Sequence, residues 1–288
     1  MKNNFYINNK KEINFFINNA IKEDLNSIDH SSKASLSKND KGKAVLIVKE
    51  NCVIAGLELA EIIYKKYDSK INFRYLVNDG DKINAGTKGF IVEGNSLSIL
   101  AMERLVLNCI QRMSGIASLT SRYKKIISKT SCKLLDTRKT TPNFRYPEKW
   151  AVLIGGGNNH RMGLYDALMI KDNHIDFGGG VNLVLEKTKR YLSGLGKEYD
   201  LIVETRNLKE VKDVLNYNIV TRILLDNMDI NEIKKALSLI GNKKPTEASG
   251  NIDKSNILAI AKTGVNFISL GCLTHSAKPI DISLKVSK

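Results

Sequence analysis

Cysteine is scarce in this chain of 288 residues: Cys52, Cys109, Cys132 and Cys272, none in a C-x-x-C pair. That spacing excludes a zinc ribbon and a disulfide framework and leaves reduced, mostly buried thiols. Histidine is equally rare; His30, His160, His174 and His275 show no H-x-x-x-H spacing, so a helix-borne zinc or iron site is not expected. No apolar run approaches the ~18 residues of a membrane span. The stretch MKNNFYINNKKEINFFINNA has neither a long apolar region nor a small-residue cleavage site, so no signal peptide is read and the cytoplasm is the expected location. No G-x-G-x-x-G opens a strand–helix unit, which weakens a dinucleotide-binding reading. Acids are outnumbered, 30 against 45 Lys and Arg, for a net charge of +15. Yet the basic residues are not interleaved with aromatics, and no helix-turn-helix or RNA-binding signature is present. Nucleic acid is therefore not the expected partner, and most of the lysine excess reads as a solvated surface.

What is present is an ordinary globular composition, 42% hydrophobic and 26% charged. The length suggests one or two domains. From about Leu134 onward one rhythm holds: a short apolar run ends in a polar residue and an amphipathic stretch follows. The runs are KLLDT, ALMIKDNH, LIVET, RILLDN, TEASG and FISLGC. Positions 204, 226, 249 and 271, which end the last four, lie 22 or 23 residues apart. Near-continuous apolar strands alternating with helices imply parallel pairing with both faces covered. An open doubly wound sheet and a closed β/α barrel both fit. The barrel is favoured, because every strand delivers a polar residue at its C-terminal end, where a barrel gathers its chemistry. Six clear units make it an incomplete barrel of six to seven strands. The part before it, 1–112, reads as an α/β domain. INFFINNAIKEDL suggests a helix, KGKAVLIVKENCVIAG and INFRYLVNDGDKINAGTKGFIVEG suggest strands, and Asp79-Gly80 marks a turn. A long helical stretch follows from Leu97, with Ser114-Gly115 expected to break it. The barrel is expected over 113–277, and the alternating tail 278–288 is expected to pack with the first domain.

The chemistry-bearing residues fall into three groups. Cations end or follow the strands: Arg138 and Lys139 after KLLDT, His160 and Arg161 after the run Gly155-Gly156-Gly157, and Lys171 after ALMI. Two unit charges 4 Å apart repel by about 4 kcal/mol at an effective dielectric of ~20. Cations crowded at one mouth therefore call for an anion, which Arg grips through planar bidentate bonds and Lys as a point charge. Two acids, Glu204 and Asp226, end successive strands. Acid–base catalysis, glycoside hydrolysis and Mg²⁺ binding all use such a pair; beside an anion site, Mg²⁺ bridging to phosphates is the most coherent. A pairing of these acids with Lys171 or Arg138 that only stabilises the fold stays open. Small-residue turns, Ser249-Gly250 and Gly271, are each read as preceding a helix start, where backbone N–H groups bind phosphate. Together they describe a mouth for a phosphorylated substrate and a second anion.

At this point the motifs become specific. DTRKTTPNFRYPEKWAV, LIGGGNNHRMGLYDALMIKDNHI, ERLVLNCIQRMSGIASLT, ILLDN, EASGNI and FISLGCLTHS together resemble the quinolinate phosphoribosyltransferases, over most of the chain from about Lys22. The resemblance implies an N-terminal α/β sandwich followed by an incomplete TIM-like barrel. It implies transfer of a phosphoribosyl group from phosphoribosyl pyrophosphate to quinolinate, with loss of CO₂, in NAD biosynthesis. It further implies Mg²⁺ as cofactor, held by Glu204 and Asp226 and largely through the substrate, and a homodimer or hexamer with sites shared across the interface. Carried over by motif, Thr137, Arg138, Lys139, His160, Arg161 and Lys171 would hold quinolinate, with Arg104 reaching across from the neighbouring subunit. Lys139, Lys171, Glu204 and Asp226 would carry the catalysis. Glu204, Asp226, Ser249, Gly250, Asn251 and Gly271 would bind phosphoribosyl pyrophosphate.

Two departures from the family pattern stand out. EDLNSIDHSSKAS replaces a G-D-[IV]-T-like stretch after the first helix. Ile202 replaces the first acid of an E-V-E strand and leaves only Glu204. Two other functions are weighed beside the main one. A related transferase acting on nicotinate would release no CO₂ and would need fewer cations. A basic nucleic-acid-binding protein on an old enzyme fold is disfavoured by the acid pair.

Overall fold

A computed structural model describes residues 5–287. In chain order its elements begin with α1 (Phe5–Asn8), α2 (Lys10–Leu25), α3 (His30–Ser35), β1 (Lys41–Val48), β2 (Cys52–Val53) and α4 (Leu57–Tyr67). Next come β3 (Asn72–Tyr75), β4 (Lys82–Ile83), β5 (Lys88–Asn95), α5 (Ser96–Ile126), β6 (Lys133–Leu135) and α6 (Arg145–Ile154). They continue with β7 (Leu168–Ile170), α7 (Asp172–Gly178), α8 (Val181–Ser193), β8 (Leu201–Thr205), α9 (Leu208–Leu215) and β9 (Arg222–Asp226). The last are α10 (Ile230–Ile240), β10 (Thr246–Ser249), α11 (Ile257–Ala261), β11 (Phe267–Ser269), α12 (Cys272–His275) and β12 (Ile282–Val286). Among the described residues, no helix is long and apolar enough to cross a membrane. The chain divides into two compact units. One comprises Met1–Ser121, Lys139–Gly156 and Cys272–Lys288; the other comprises Arg122–Arg138 and Gly157–Gly271.

The first unit is built on a four-stranded sheet in the order β12-β1-β5-β3, antiparallel throughout. The C-terminal strand β12 pairs with β1 in a register from Ala44 opposite Val286 to Val48 opposite Ile282. Helix α4 buries Leu57, Leu59, Ala60, Ile63 and Tyr64, a stripe at helical spacing. The Tyr64 ring meets Phe73 of β3 and Phe90 of β5 at 6.2 and 6.4 Å, and those two phenylalanines lie 4.4 Å apart. Each such side chain, fully buried, contributes about 1.5–3 kcal/mol. The segment that replaces the family's G-D-[IV]-T-like stretch forms the short helix α3, capped by Asp29, whose carboxylate accepts from the Ser32 N–H at 3.0 Å.

The expected break at Ser114-Gly115 does not occur; α5 runs through it as one helix of 31 residues. Both residues are small because other chain segments come close. The Ser114 Oγ accepts from the Ala55 N–H at 3.0 Å. A Cβ added at Gly115 would lie 2.1 Å from the Lys278 carbonyl oxygen. Close approach explains this glycine, and its helix cost of about 1 kcal/mol is offset by the packing it permits.

The second unit is the parallel sheet β6-β11-β10-β9-β8-β7. All six expected runs form strands in it. From β8 to β11, successive strands are neighbours joined by α9, α10 and α11, as right-handed βαβ connections require. The first two strands of this sheet in chain order, β6 and β7, lie at opposite edges, so the barrel is incomplete between them. A parallel bridge from Asn158 to Leu135 adds a fragment of a seventh strand beside β6. Every residue of β8 is buried, as expected for a strand covered on both faces, whereas the edge strand β7 is only half-buried. The helices carry their own stop and start signals. Asp229 accepts from the N–H groups of Asn231 and Glu232, the Glu232 carboxylate answers at the Asp229 N–H, and Gly241 ends α10 in the left-handed region. Such caps are worth about 1 kcal/mol each.

Candidate active site

The C-terminal ends of the parallel strands set out the side chains of the second unit. Alternate residues of a strand share a face. The register pairs Ser249 with Asp226, Glu247 with Leu224, and Leu224 with Glu204. Hence Arg222, Leu224 and Asp226 of β9 share a face with Glu204 of β8 and with Glu247 and Ser249 of β10.

Beyond β6, Asp136 is fully buried. One of its oxygens accepts from the His160 N–H at 2.8 Å and the other from Asn159 Nδ2 at 2.6 Å. The one acid inside DTRKTTPNFR is thus committed to the backbone that carries His160 and Arg161. Arg161 donates to the Ala167 carbonyl at 3.1 Å. Burial and then the nearby Arg138 charge push the Arg161 guanidinium below its ordinary range, with Asp166 pulling the other way. The nearby Arg138 charge thus adds to the effect of burial in disfavouring the ionised Arg161. Asp166 also accepts from the N–H groups of Met162 and Gly163 at 2.6 and 2.8 Å, which ties the loop after Arg161. Thr137 is half-buried. The His160 ring is buried, with Nε2 3.4 Å from Glu247 and Nδ1 accepting from the Arg161 N–H.

Across the strand ends lie the acids. Glu204 is buried, with the half-exposed Lys171 ammonium 3.5 Å away. Its carboxyl is nevertheless raised above the ordinary range. Burial is the main cause; Asp226 and Asp172 add to it, and together they outweigh Lys171 and the Asp172 N–H. The rise means that burial and the neighbouring acids disfavour the ionised form there. Asp226 accepts from Asn227 Nδ2 at 2.7 Å, and Asn227 Oδ1 accepts from Asn251 Nδ2 at 3.0 Å. The acid at the end of β9 is thereby connected to the turn after β10.

That turn is tightly specified. Gly250 has φ +90°, and a Cβ there would lie 2.1 Å from Asn227 Oδ1. Asn227 and Asn251 are also left-handed, at φ 54° and 50°. The helix expected after Ser249-Gly250 is α11, which begins at Ile257 after a loop, Asn251 to Asn256, knit by Asn256 Nδ2 donating to the Asn251 carbonyl at 2.9 Å. After Gly271, by contrast, α12 starts at once.

The second unit thus carries Thr137, Arg138, His160, Arg161, Lys171, Glu204, Asp226, Ser249, Gly250, Asn251 and Gly271. Lys139 and Arg104 belong to the first unit. Lys139 is exposed, and its carbonyl accepts from Thr274 Oγ1 at 2.8 Å; Arg104 is exposed on α5. Asn227 and Glu247 were missed by the sequence reading. Asn227 sits inside ILLDN, and Glu247 precedes Ser249 by two residues on the same strand face; both signals were available. Among the described residues, no three or more His, Cys, Asp or Glu side chains group as a metal cluster.

Residues 29–114 match the family model "Quinolinate phosphoribosyl transferase, N-terminal domain" and residues 116–285 match its C-terminal domain. A quinolinate phosphoribosyltransferase (decarboxylating) of Nicotiana tabacum, named as mitochondrial, is 44% identical over 282 residues, covering 93% of this chain and 80% of that protein. A probable nicotinate-nucleotide pyrophosphorylase (carboxylating) of Synechocystis is 38% identical, covering 92% and 89%. The solved nicotinate-nucleotide pyrophosphorylase of Francisella tularensis superposes with a TM-score of 0.86 at 38% identity, covering 96% of each chain.

Proposed function

The chain belongs to the quinolinate phosphoribosyltransferase family, and from that membership we infer that it joins quinolinate to the phosphoribosyl group of phosphoribosyl pyrophosphate. The products are nicotinate mononucleotide, pyrophosphate and CO₂, a step of NAD biosynthesis. The observation that carries the reading is the opposed crowding of charge: Arg161 is depressed beside Arg138 while Glu204 is raised beside Asp226. A dianionic aromatic acid relieves the first, and a developing cationic sugar relieves the second.

In this reading Arg138 and Arg161 grip the two ring carboxylates, with Thr137, His160, Lys139 and Lys171 beside them. The grip sets the ring nitrogen in line with the anomeric carbon. As the bond to pyrophosphate breaks, the ribose acquires oxocarbenium character, and Glu204 and Asp226 steady it. Ser249, Gly250, Asn251 and Gly271 hold the 5′-phosphate. The new C–N bond leaves the ring nitrogen cationic. The ring then accepts the electron pair released as the adjacent carboxylate leaves as CO₂, and a proton takes its place.

Magnesium fits the donor set. Glu204 and Asp226 are hard oxygen donors, Asp226 adds to the rise of Glu204, and the two carboxylates would hold the ion together with phosphate oxygens of the substrate. When bound, it neutralises charge on the departing pyrophosphate. The enzyme works as a homodimer in which the exposed Arg104 reaches the neighbour's quinolinate. Its charged, water-soluble substrates support action in the cytoplasm.

The test is turnover of carboxyl-labelled quinolinate with phosphoribosyl pyrophosphate and magnesium. Equal yields of CO₂ and pyrophosphate are expected. Turnover of nicotinate in preference to quinolinate, without CO₂, would overturn the reading in favour of a nicotinate transferase.

A further inference from the structure

Behind His160 and Arg161 in the second unit lie two groups that the mechanism above does not use, Glu247 and Arg222. Glu247 on β10 is fully buried. Its carboxylate accepts from Arg222 Nη1 at 2.9 Å and faces His160 Nε2 at 3.4 Å. The Arg222 guanidinium lies 4.3 Å from the centroid of the Phe267 ring on β11, a cation–π contact that leaves it little freedom. At the other end, His160 Nδ1 accepts from the Arg161 N–H at 2.8 Å. A ring nitrogen that accepts carries no proton, so the ring proton belongs on Nε2, the nitrogen facing Glu247.

We infer that Glu247 is a positioning residue for the carboxylate clamp. Held by Arg222, it fixes the tautomer and rotation of the His160 ring, and that ring fixes the backbone from which Arg161 reaches the substrate. The inference deepens the phosphoribosyl-transfer reading and rests on it for its kinetic consequence.

Two further observations support the assignment. A buried carboxylate persists as an ion only when well partnered. Burial pushes Glu247 up, but His160, Ser269 and Arg222 outweigh it and hold the group below the ordinary carboxylate range. The register explains how Arg222 came to depend on Glu247. Its neighbour on β8 is Ile202, the position where the family pattern has an acid, so charge compensation must come from β10 on its other side.

The first measurement needs only the intact protein. A proton–nitrogen correlation spectrum of the histidine rings is expected to show one ring with a protonated Nε2 and a bare Nδ1, and this signal is assigned by its loss in His160→Asn. A protonated Nδ1 on that ring would overturn the inference even if no variant of Glu247 folds. The second measurement is steady-state kinetics of Glu247→Gln, which keeps the shape and removes the charge. An increase of about tenfold in the KM for quinolinate is expected, with the KM for phosphoribosyl pyrophosphate within about twofold. Glu247→Asp should recover part of the loss. Equal changes in both KM values, or none, would overturn the inference while leaving the overall reaction intact. Absence of quinolinate turnover in the unaltered protein would instead remove the functional reading and leave the ring tautomer standing.

Discussion

The cationic and acidic ends of the barrel mouth use the same device with opposite signs. At one end Arg161 sits beside Arg138; at the other Glu204 sits beside Asp226. In each, burial and a like charge disfavour the ionised form. The ends differ in how far the protein compensates. Glu204 has Lys171 at 3.5 Å, a partial counter-charge from a half-exposed side chain. At the cationic end Asp166 acts against the shift of Arg161, and Asp136 accepts from the N–H of His160 and the Asn159 amide. Glu247, beside Arg222 and His160, is held below the ordinary carboxylate range despite its burial, whereas Glu204 is raised, chiefly by burial.

The comparison is broken most strongly by Asp226→Asn. We expect kcat/KM for phosphoribosyl pyrophosphate to fall by about 10²–10³, with the KM for quinolinate changed by less than about threefold. A matching rise in the quinolinate KM would mean that the two ends do not act on separate substrates. Next in size is Arg161→Ala. Loss of a charged, bidentate grip of roughly 1.5–3 kcal/mol should raise the KM for quinolinate by about 10–100-fold without lowering Tm. Wild-type kinetics in this variant would remove Arg161 from the clamp.

The smallest effect is on stability. A carboxyl whose folded pKa lies above its unfolded value holds extra protons in the native state between the two, so its stabilising contribution is complete at low pH and is lost as pH rises through the folded value. Glu204→Gln should therefore raise Tm by about 2 °C at pH 7, and the gain should vanish near pH 4, as read by scanning calorimetry at several pH values. The lowered Glu247 has the opposite sign. Its contribution is present above the ordinary carboxylate range and is lost as pH falls through the folded value.

Much of this was legible from the residue order. The six barrel strands announce themselves as short apolar runs ended by a polar residue, because a strand covered on both faces has few other compositions open to it. The cations and acids of the mouth follow from the same rule, since each lies where a strand stops. The reading failed at Ser114-Gly115, where small residues were taken for a break. The carbonyl of Lys278, remote in sequence, is what demands the glycine.

By itself the amino-acid order determined which segments become strands and helices, and which charged side chains stand at strand ends, because periodicity and local chemistry act over a few residues. Only the tertiary structure decided that β6 and β7 would be the two edges, that Arg138 would depress Arg161, and that Glu247 would take its counter-charge from Arg222 with the His160 ring beside it. Those outcomes depend on which strands become neighbours, and electrostatic energy is a property of distances that the linear order does not contain.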